Sequence, residues 1–392
     1  MPDPGREHGA ADARPGVLGD VDGAEYADRL VHGPALGRGA NLNPGNRFEG
    51  LRLHVLGEFL DHDAVEEESA GARPARVPTT VYQDESRSVL NRAESPDLPF
   101  SWSFNPYRGC EHGCVYCYAR PGHEYLSMSC GLDFETKILA KPDAPALLRR
   151  ALASPSWLGE PIAMSGVTDC YQPIERRLGI TRACLEVMAQ CGQPVSVITK
   201  NRLVERDVDL LADLAGRNAA RVAVSITTLD ASLARKLEPR ASTPQDRLAL
   251  VGALRAAGVP TMVMVAPVIP GLNDREIPGI LRAAREAGAQ NAGYVLLRLP
   301  HQVKALFLEW LQRHVPERAR HIENLIRSTR DGDLNDPNFG TRMTGKGPFA
   351  LALSKTFRVF AARAGLDKPI APLSSAAFRR PALDGQMGLF GG

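Results

Sequence analysis

Asn105-Pro-Tyr-Arg-Gly-Cys110-Glu-His-Gly-Cys114-Val-Tyr-Cys117-Tyr-Ala-Arg120 carries three of the chain's seven cysteines at a C-x3-C-x2-C spacing. Three thiolates from one compact loop can each hold one iron of a cubic four-iron cluster, whereas complete ligation takes four cysteines. The fourth iron is then left open, and an open metal position is where a ligand binds. Tyr116 lies directly before the last cysteine. Gly109 and Gly113 let the backbone fold closely around an inorganic core. A zinc site draws on the same thiolates and needs a fourth ligand, for which His112 and His123 are near at hand. On the loop alone both readings stay open. A disulfide pair does not suit an odd count of cysteines in a chain with no secretory signal.

Around this loop the chain of 392 residues is 44% hydrophobic and 23% charged, enough to bury a substantial core. No run approaches the roughly eighteen apolar residues of a membrane span. Met1-Pro-Asp-Pro-Gly-Arg-Glu lacks a basic flank leading into an apolar segment. No membrane association and a cytoplasmic location are therefore expected. The net charge of +2 neither supports nor excludes nucleic acid, because a basic footprint must be local to count.

From Phe100 onward, strand-like apolar runs alternate with helix-like segments. The strands are expected at 100–104, 134–140, 161–165, 194–200, 221–227, 261–269 and 293–298. The helices are expected at 144–153, 181–190, 204–215, 243–257 and 274–287. Continuous apolar strands separated by amphipathic helices argue for a parallel sheet buried on both faces. Six or seven βα units suggest a partial barrel, with the chemistry at the C-terminal ends of the strands. The fold class is thus α/β, with an N-terminal extension and a C-terminal helical region, and periodicity alone does not choose between a partial barrel and a flat doubly wound sheet. Residues 1–80 are expected to be a largely mobile extension and 81–300 the barrel, with the cluster loop at 105–120. A helical region over 301–380 follows, including one amphipathic helix from His301 to Ile326 and a second from Phe349 to Ala364. A mobile tail closes the chain at 381–392.

Cys110, Cys114, Tyr116 and Cys117 match the signature C-x3-C-x-(aromatic)-C, and the chain resembles the radical S-adenosylmethionine superfamily. The resemblance covers roughly residues 97–300 and implies an open, partial (β/α)6 TIM-like barrel. It implies a [4Fe-4S] cluster whose open iron is chelated by S-adenosylmethionine. An electron from the reduced cluster would cleave the sulfonium C–S bond, and a 5′-deoxyadenosyl radical would take hydrogen from the substrate. An external electron donor of the flavodoxin or ferredoxin type is implied too.

Each strand end offers polar residues for the cofactor. Ser165 and Gly166 would let backbone approach a ligand, and Thr168 and Asp169 offer acceptors for the cofactor ammonium group. Either could instead cap a helix. Thr199-Lys200, Val224-Ser225-Ile226 and Val265-Ala-Pro-Val-Ile269 look like the spore photoproduct lyase-like branch of the superfamily. That likeness implies contacts from Lys200 to the cofactor carboxylate and from Ser225 to its ribose or carboxylate. Val268 and Ile269 would flank the adenine, with Tyr116 also counted among the cofactor contacts. Cys170, at a strand end, is a candidate for returning a hydrogen atom to a product radical. Cys184 and Cys191 lie seven apart on one helical face, which suits core packing.

The last residues, Gln386, Met387, Gly388, Leu389 and Phe390, resemble the short bacterial motif that docks into the DNA polymerase sliding clamp. DNA is accordingly the expected substrate class, in repair or modification by lyase-like or transferase-like chemistry. Radical modification of a peptide or small molecule is the alternative within the enzyme class. A zinc-stapled binding module is the alternative outside it.

Overall fold

The structure, a computed structural model, describes residues 37–45 and 77–382. Ten strands follow in chain order. They are β1 (Thr80–Gln83), β2 (Leu90–Arg92), β3 (Trp102–Phe104), β4 (Tyr107–Arg108), β5 (Lys137–Ala140), β6 (Ile162–Met164), β7 (Val195–Thr199), β8 (Ala220–Ser225), β9 (Thr261–Val268) and β10 (Asn291–Leu296).

Six of them, in the order β10-β9-β8-β7-β6-β3, run parallel, and β2 closes one edge antiparallel to β3. β10 and β2 are the two edges and do not pair with each other, so the barrel is open, as expected for six βα units; Ala292 and Leu296 N–H on the β10 edge donate to Leu366 O and Met343 O. Every residue of β6 is fully buried, and β8 is nearly so. Both faces of these strands are covered, which is why they read as continuous apolar runs and do not alternate.

The crossover helices carry readable start and stop signals. Helix Pro244–Ala256 opens on Thr243, whose side chain accepts from the Asp246 N–H, with proline at its first turn. Helix Ile180–Cys191 ends at Gly192 with φ +64°, and a Cβ there would stand 2.3 Å from the Ala377 carbonyl oxygen. The C-terminal segment thus lies against the end of this helix.

Three expectations need correction. The run 134–140 is not a barrel strand. Residues Asp133–Thr136 form a helical turn, and β5 joins β1 and β4 in a separate three-stranded sheet. The single helix expected over 301–326 is two, Val303–His314 and Pro316–Ser328. Pro316 forces the break by driving Val315 to φ −146°, ψ 51°. Residues 37–45, placed by the sequence reading in a largely mobile extension, are packed against the cysteine loop, with Ala40 fully buried. Their signal was weak because the contacts, made by backbone amides together with the Arg38 and Asn43 side chains, reach partners far along the chain. Gly39 and Ala40 N–H each donate to the Glu135 carboxylate at 2.9 Å. Residues 1–36, 46–76 and the tail from 383 lie outside the described residues.

Candidate active site

The cysteine loop leaves the C-terminal end of β3, where a parallel barrel collects its chemistry. Cys110 and Cys114 are buried, Cys117 is partly so, and all three are free thiols. The loop is clamped from several sides. Gln172, on the segment after β6, accepts from the Glu111 N–H at 2.8 Å and donates to the Gly109 carbonyl at 3.1 Å. Val115 N–H reaches Leu237 O at 3.2 Å, and Arg240 N–H reaches His112 O at 3.2 Å. Arg120, fully buried, donates to the carbonyls of Cys114, Cys130 and Gly131 and pairs with Glu135.

Burial pushes all three thiols above their ordinary range. A thiolate there needs a positive partner, which an iron of a cluster would supply. The backbone amides of His112 beside Cys110, and of Ala119 and Arg120 beside Cys117, favour the charged form and offset part of the burial. Such donors stabilise metal-bound thiolate. Among the described residues no three His, Cys, Asp or Glu side chains converge on a point fit for one metal ion. The two histidines weighed as zinc ligands are occupied. His112 accepts at Nε2 from the Asn201 amide at 3.1 Å, which leaves the proton on Nδ1, 3.4 Å from Asp169. His123 donates from Nε2 to Lys137 O at 3.0 Å. The donor set fits a cluster in which each sulfur takes its own iron.

Beneath the loop lies a buried charged network that the sequence reading missed. Glu238, fully buried, takes hydrogen bonds from Tyr116 and Arg247, from Thr227 at 2.5 Å and from Lys200 Nζ at 3.0 Å. Against the cost of burial, Arg247 and Lys200 hold its carboxyl well below the usual range. Lys200 also donates to Thr227 Oγ1 and Ala266 O, both at 3.1 Å, and lies 5.8 Å from the Tyr116 ring centroid. Its three protons therefore all have protein acceptors, and a cofactor carboxylate would have to displace one of them. Glu238 follows a short helix with no motif around it, so nothing in the linear sequence marked it.

The other expected contacts divide. Ser165 (φ +70°) accepts the Cys170 N–H at its Oγ, 2.9 Å away, and Gly166 O accepts from the Tyr118 hydroxyl. Thr168 N–H donates to Asn105 Oδ1 at 3.3 Å. Asp169 accepts from Thr199 Oγ1, from the Lys200 N–H at 2.7 Å and from the Tyr171 N–H. Its oxygens tie the ends of β6 and β7 together and leave little for a cofactor ammonium group. Ser225 ends β8, and its carbonyl accepts from Arg247 at 3.0 Å. Val268 ends β9. Ile269 N–H donates to Asn273, whose amide returns to Thr227 O and Pro267 O, joining the ends of β8 and β9. Cys170 is fully buried in the main apolar core, so a hydrogen-donor role would require that core to open.

A family model, the radical SAM superfamily, matches residues 104–284. An uncharacterised protein of Mycobacterium tuberculosis is 39% identical over 262 residues, covering 65% of this chain and 77% of that protein. The radical SAM Nalpha-GlyT isomerase of Pseudomonas phage M6 is 23% identical over 289 residues, 73% of this chain and 56% of the isomerase. Among solved structures, spore photoproduct lyase complexed with dinucleoside spore photoproduct superposes with a TM-score of 0.53 at 16% identity, over 72% of this chain and 79% of the lyase. That likeness is one of fold.

The chain belongs to the radical SAM superfamily of enzymes, which use a [4Fe-4S] cluster and S-adenosylmethionine. No helix among the described residues is long and apolar enough to cross a membrane.

Proposed function

We propose that Cys110, Cys114 and Cys117 hold the cluster and that the substrate is nucleic acid, in DNA repair or modification. The observation behind the substrate reading is a pair of exposed aromatic–arginine stacks near the loop. Tyr118, 48% exposed, lies under Arg298 at 5.2 Å, and Phe339, 57% exposed, lies under Arg342 at 4.5 Å. Exposed rings interleaved with cations suit unpaired bases and their backbone. The fold shared with a lyase that binds a dinucleoside photoproduct supports the same reading.

When bound, the reduced cluster and S-adenosylmethionine supply a 5′-deoxyadenosyl radical. The chain's own part is to hold and shield them. The three sulfurs fix the cluster, and Arg120 and Gln172 hold the loop that carries them. Lys200, Ser225, Val268 and Ile269 border the cofactor's side, with Ser165, Gly166, Thr168 and Asp169 forming the wall after β6. Tyr116 is held by Glu238 next to Cys117. The close packing of strand ends keeps water from the reacting centre.

Electrons would come from a flavodoxin or ferredoxin type donor. The tail residues Gln386, Met387, Leu389 and Phe390, outside the described residues, would dock the enzyme on the sliding clamp. The test is anaerobic formation of 5′-deoxyadenosine with DNA carrying or lacking photoproducts, against a peptide mixture. DNA should raise the rate severalfold above the uncoupled level. Stimulation by peptide alone would favour the alternative substrate class.

A further inference from the structure

Arg298 stands two residues beyond the end of β10, and Tyr118, the ring beneath it, directly follows Cys117. The guanidinium is poorly matched. Its Nε is buried without a hydrogen-bond partner, and its Nη1 meets the Met343 sulfur at 3.7 Å. The nearby carboxylate, Asp97, is bound instead to Arg342 Nε at 2.6 Å.

Arg330 lies behind. Two of its nitrogens reach the carbonyls of Leu297 at 2.6 Å and Thr341 at 3.2 Å, while its Nε is also buried and unpartnered. The three cations are crowded, with Arg342 repelling Arg298 and Arg298 repelling Arg330, while Asp336 beside Arg330 and Asp97, which is bound to Arg342, offset only part of the charge. Holding a partly desolvated guanidinium among like charges is unfavourable unless an anion joins it. A guanidinium whose outer nitrogens find only a thioether sulfur suits a tetrahedral phosphate, which they can grip with two hydrogen bonds. A carboxylate would satisfy the charge but leave the two exposed rings idle. A phosphate attached to a base would use both.

We propose that Arg298, backed by Arg330 and Arg342, is a phosphate-binding site at the barrel mouth. It receives the backbone phosphate of the nucleotide brought to the cluster loop, with Tyr118 and Phe339 as stacking surfaces. The phosphodiester identity rests on the nucleic-acid reading above. The phosphate site itself does not, because a free nucleotide carries the same group.

The experiment uses the full chain with its cluster reconstituted anaerobically. A labelled oligothymidylate is titrated by fluorescence anisotropy at several salt concentrations, with thymidine monophosphate as the second probe. Arg298→Gln should weaken oligonucleotide binding by roughly tenfold to a hundredfold and flatten the salt dependence by about one phosphate contact. Arg298→Lys should restore the salt slope with only part of the affinity, which separates charge from fork geometry and guards against a misfolded variant. Phe339→Ala, at an exposed position, should weaken binding by roughly tenfold and leave the salt slope unchanged. Wild-type affinity and slope in Arg298→Gln would overturn the proposal. So would weakened S-adenosylmethionine binding with oligonucleotide binding intact, since Arg298 would then serve the cofactor. Arg298-dependent binding of the monophosphate without any oligonucleotide binding would keep the phosphate site and remove the nucleic-acid reading.

Discussion

Cys184 and Cys191 project from one face of helix Ile180–Cys191 into the main core, while Cys110, Cys114 and Cys117 ride on a loop with almost no regular structure. The body thiols behave as small apolar groups that settle their polarity locally. Cys191 donates to Val187 O at 3.1 Å, and Cys130, off the helix, donates to Gln302 at 3.3 Å. Among the described residues no such acceptor serves the loop thiols, and their sulfurs lie close enough together that a charge on one disfavours a charge on the next. The difference teaches that burial does not make a cysteine structural. What decides is whether the surroundings favour the thiol or the thiolate.

The sharpest way to break this comparison is substitution in both groups. Cys114→Ala should abolish 5′-deoxyadenosine formation and lower bound iron, whereas Cys184→Ala should keep its iron and lose about 1 kcal/mol in urea denaturation. Equal iron loss in the two variants would show that the groups are not distinct.

The next effect concerns the charged floor beneath the loop. Glu238→Gln removes the anion shared by Arg247 and Lys200 and leaves two buried cations uncompensated, at a cost of about 3–5 kcal/mol. Denaturation measured against Arg202→Gln, an exposed pair partner of Glu205, should show that loss for Glu238 alone.

A smaller effect follows from His123, 2% exposed and stacked edge-on to Phe134 at 5.5 Å. Burial lowers its pKa from the ordinary 6.5 to about 4. The folded chain therefore keeps the ring neutral while the unfolded chain protonates it below pH 6.5. Stability is full above that value and falls as pH drops toward 4, by up to about 3 kcal/mol. His123→Gln should flatten this fall when denaturation midpoints are compared at pH 7 and pH 5. An unchanged slope would mean that the ring is not held neutral.

The sequence revealed the barrel and the loop because both are written locally. Apolar strands such as Ile162–Met164 and the cysteine spacing need no knowledge of distant partners. Glu238, Arg247, Gln172 and Arg298 were hidden because each acquires its role from contacts far along the chain, 122 residues in the case of Tyr116 and Glu238. Residues 37–45 were hidden because their partners, Glu135 for Arg38, Gly39 and Ala40 and Asp133 for Asn43, lie about ninety or more residues along the chain. The break at Pro316 was legible, and the apolar stripe running across it masked the signal. Asp169 shows the converse. Its type and place suggested a ligand contact, and folding spends its oxygens on Thr199, Lys200 and Tyr171.

The most direct measurement is anaerobic reconstitution with iron and sulfide, followed by S-adenosylmethionine and dithionite. The loop geometry requires about four irons and four sulfides per chain, with 5′-deoxyadenosine produced. Tightly bound zinc in place of iron, without cleavage, would contradict the account.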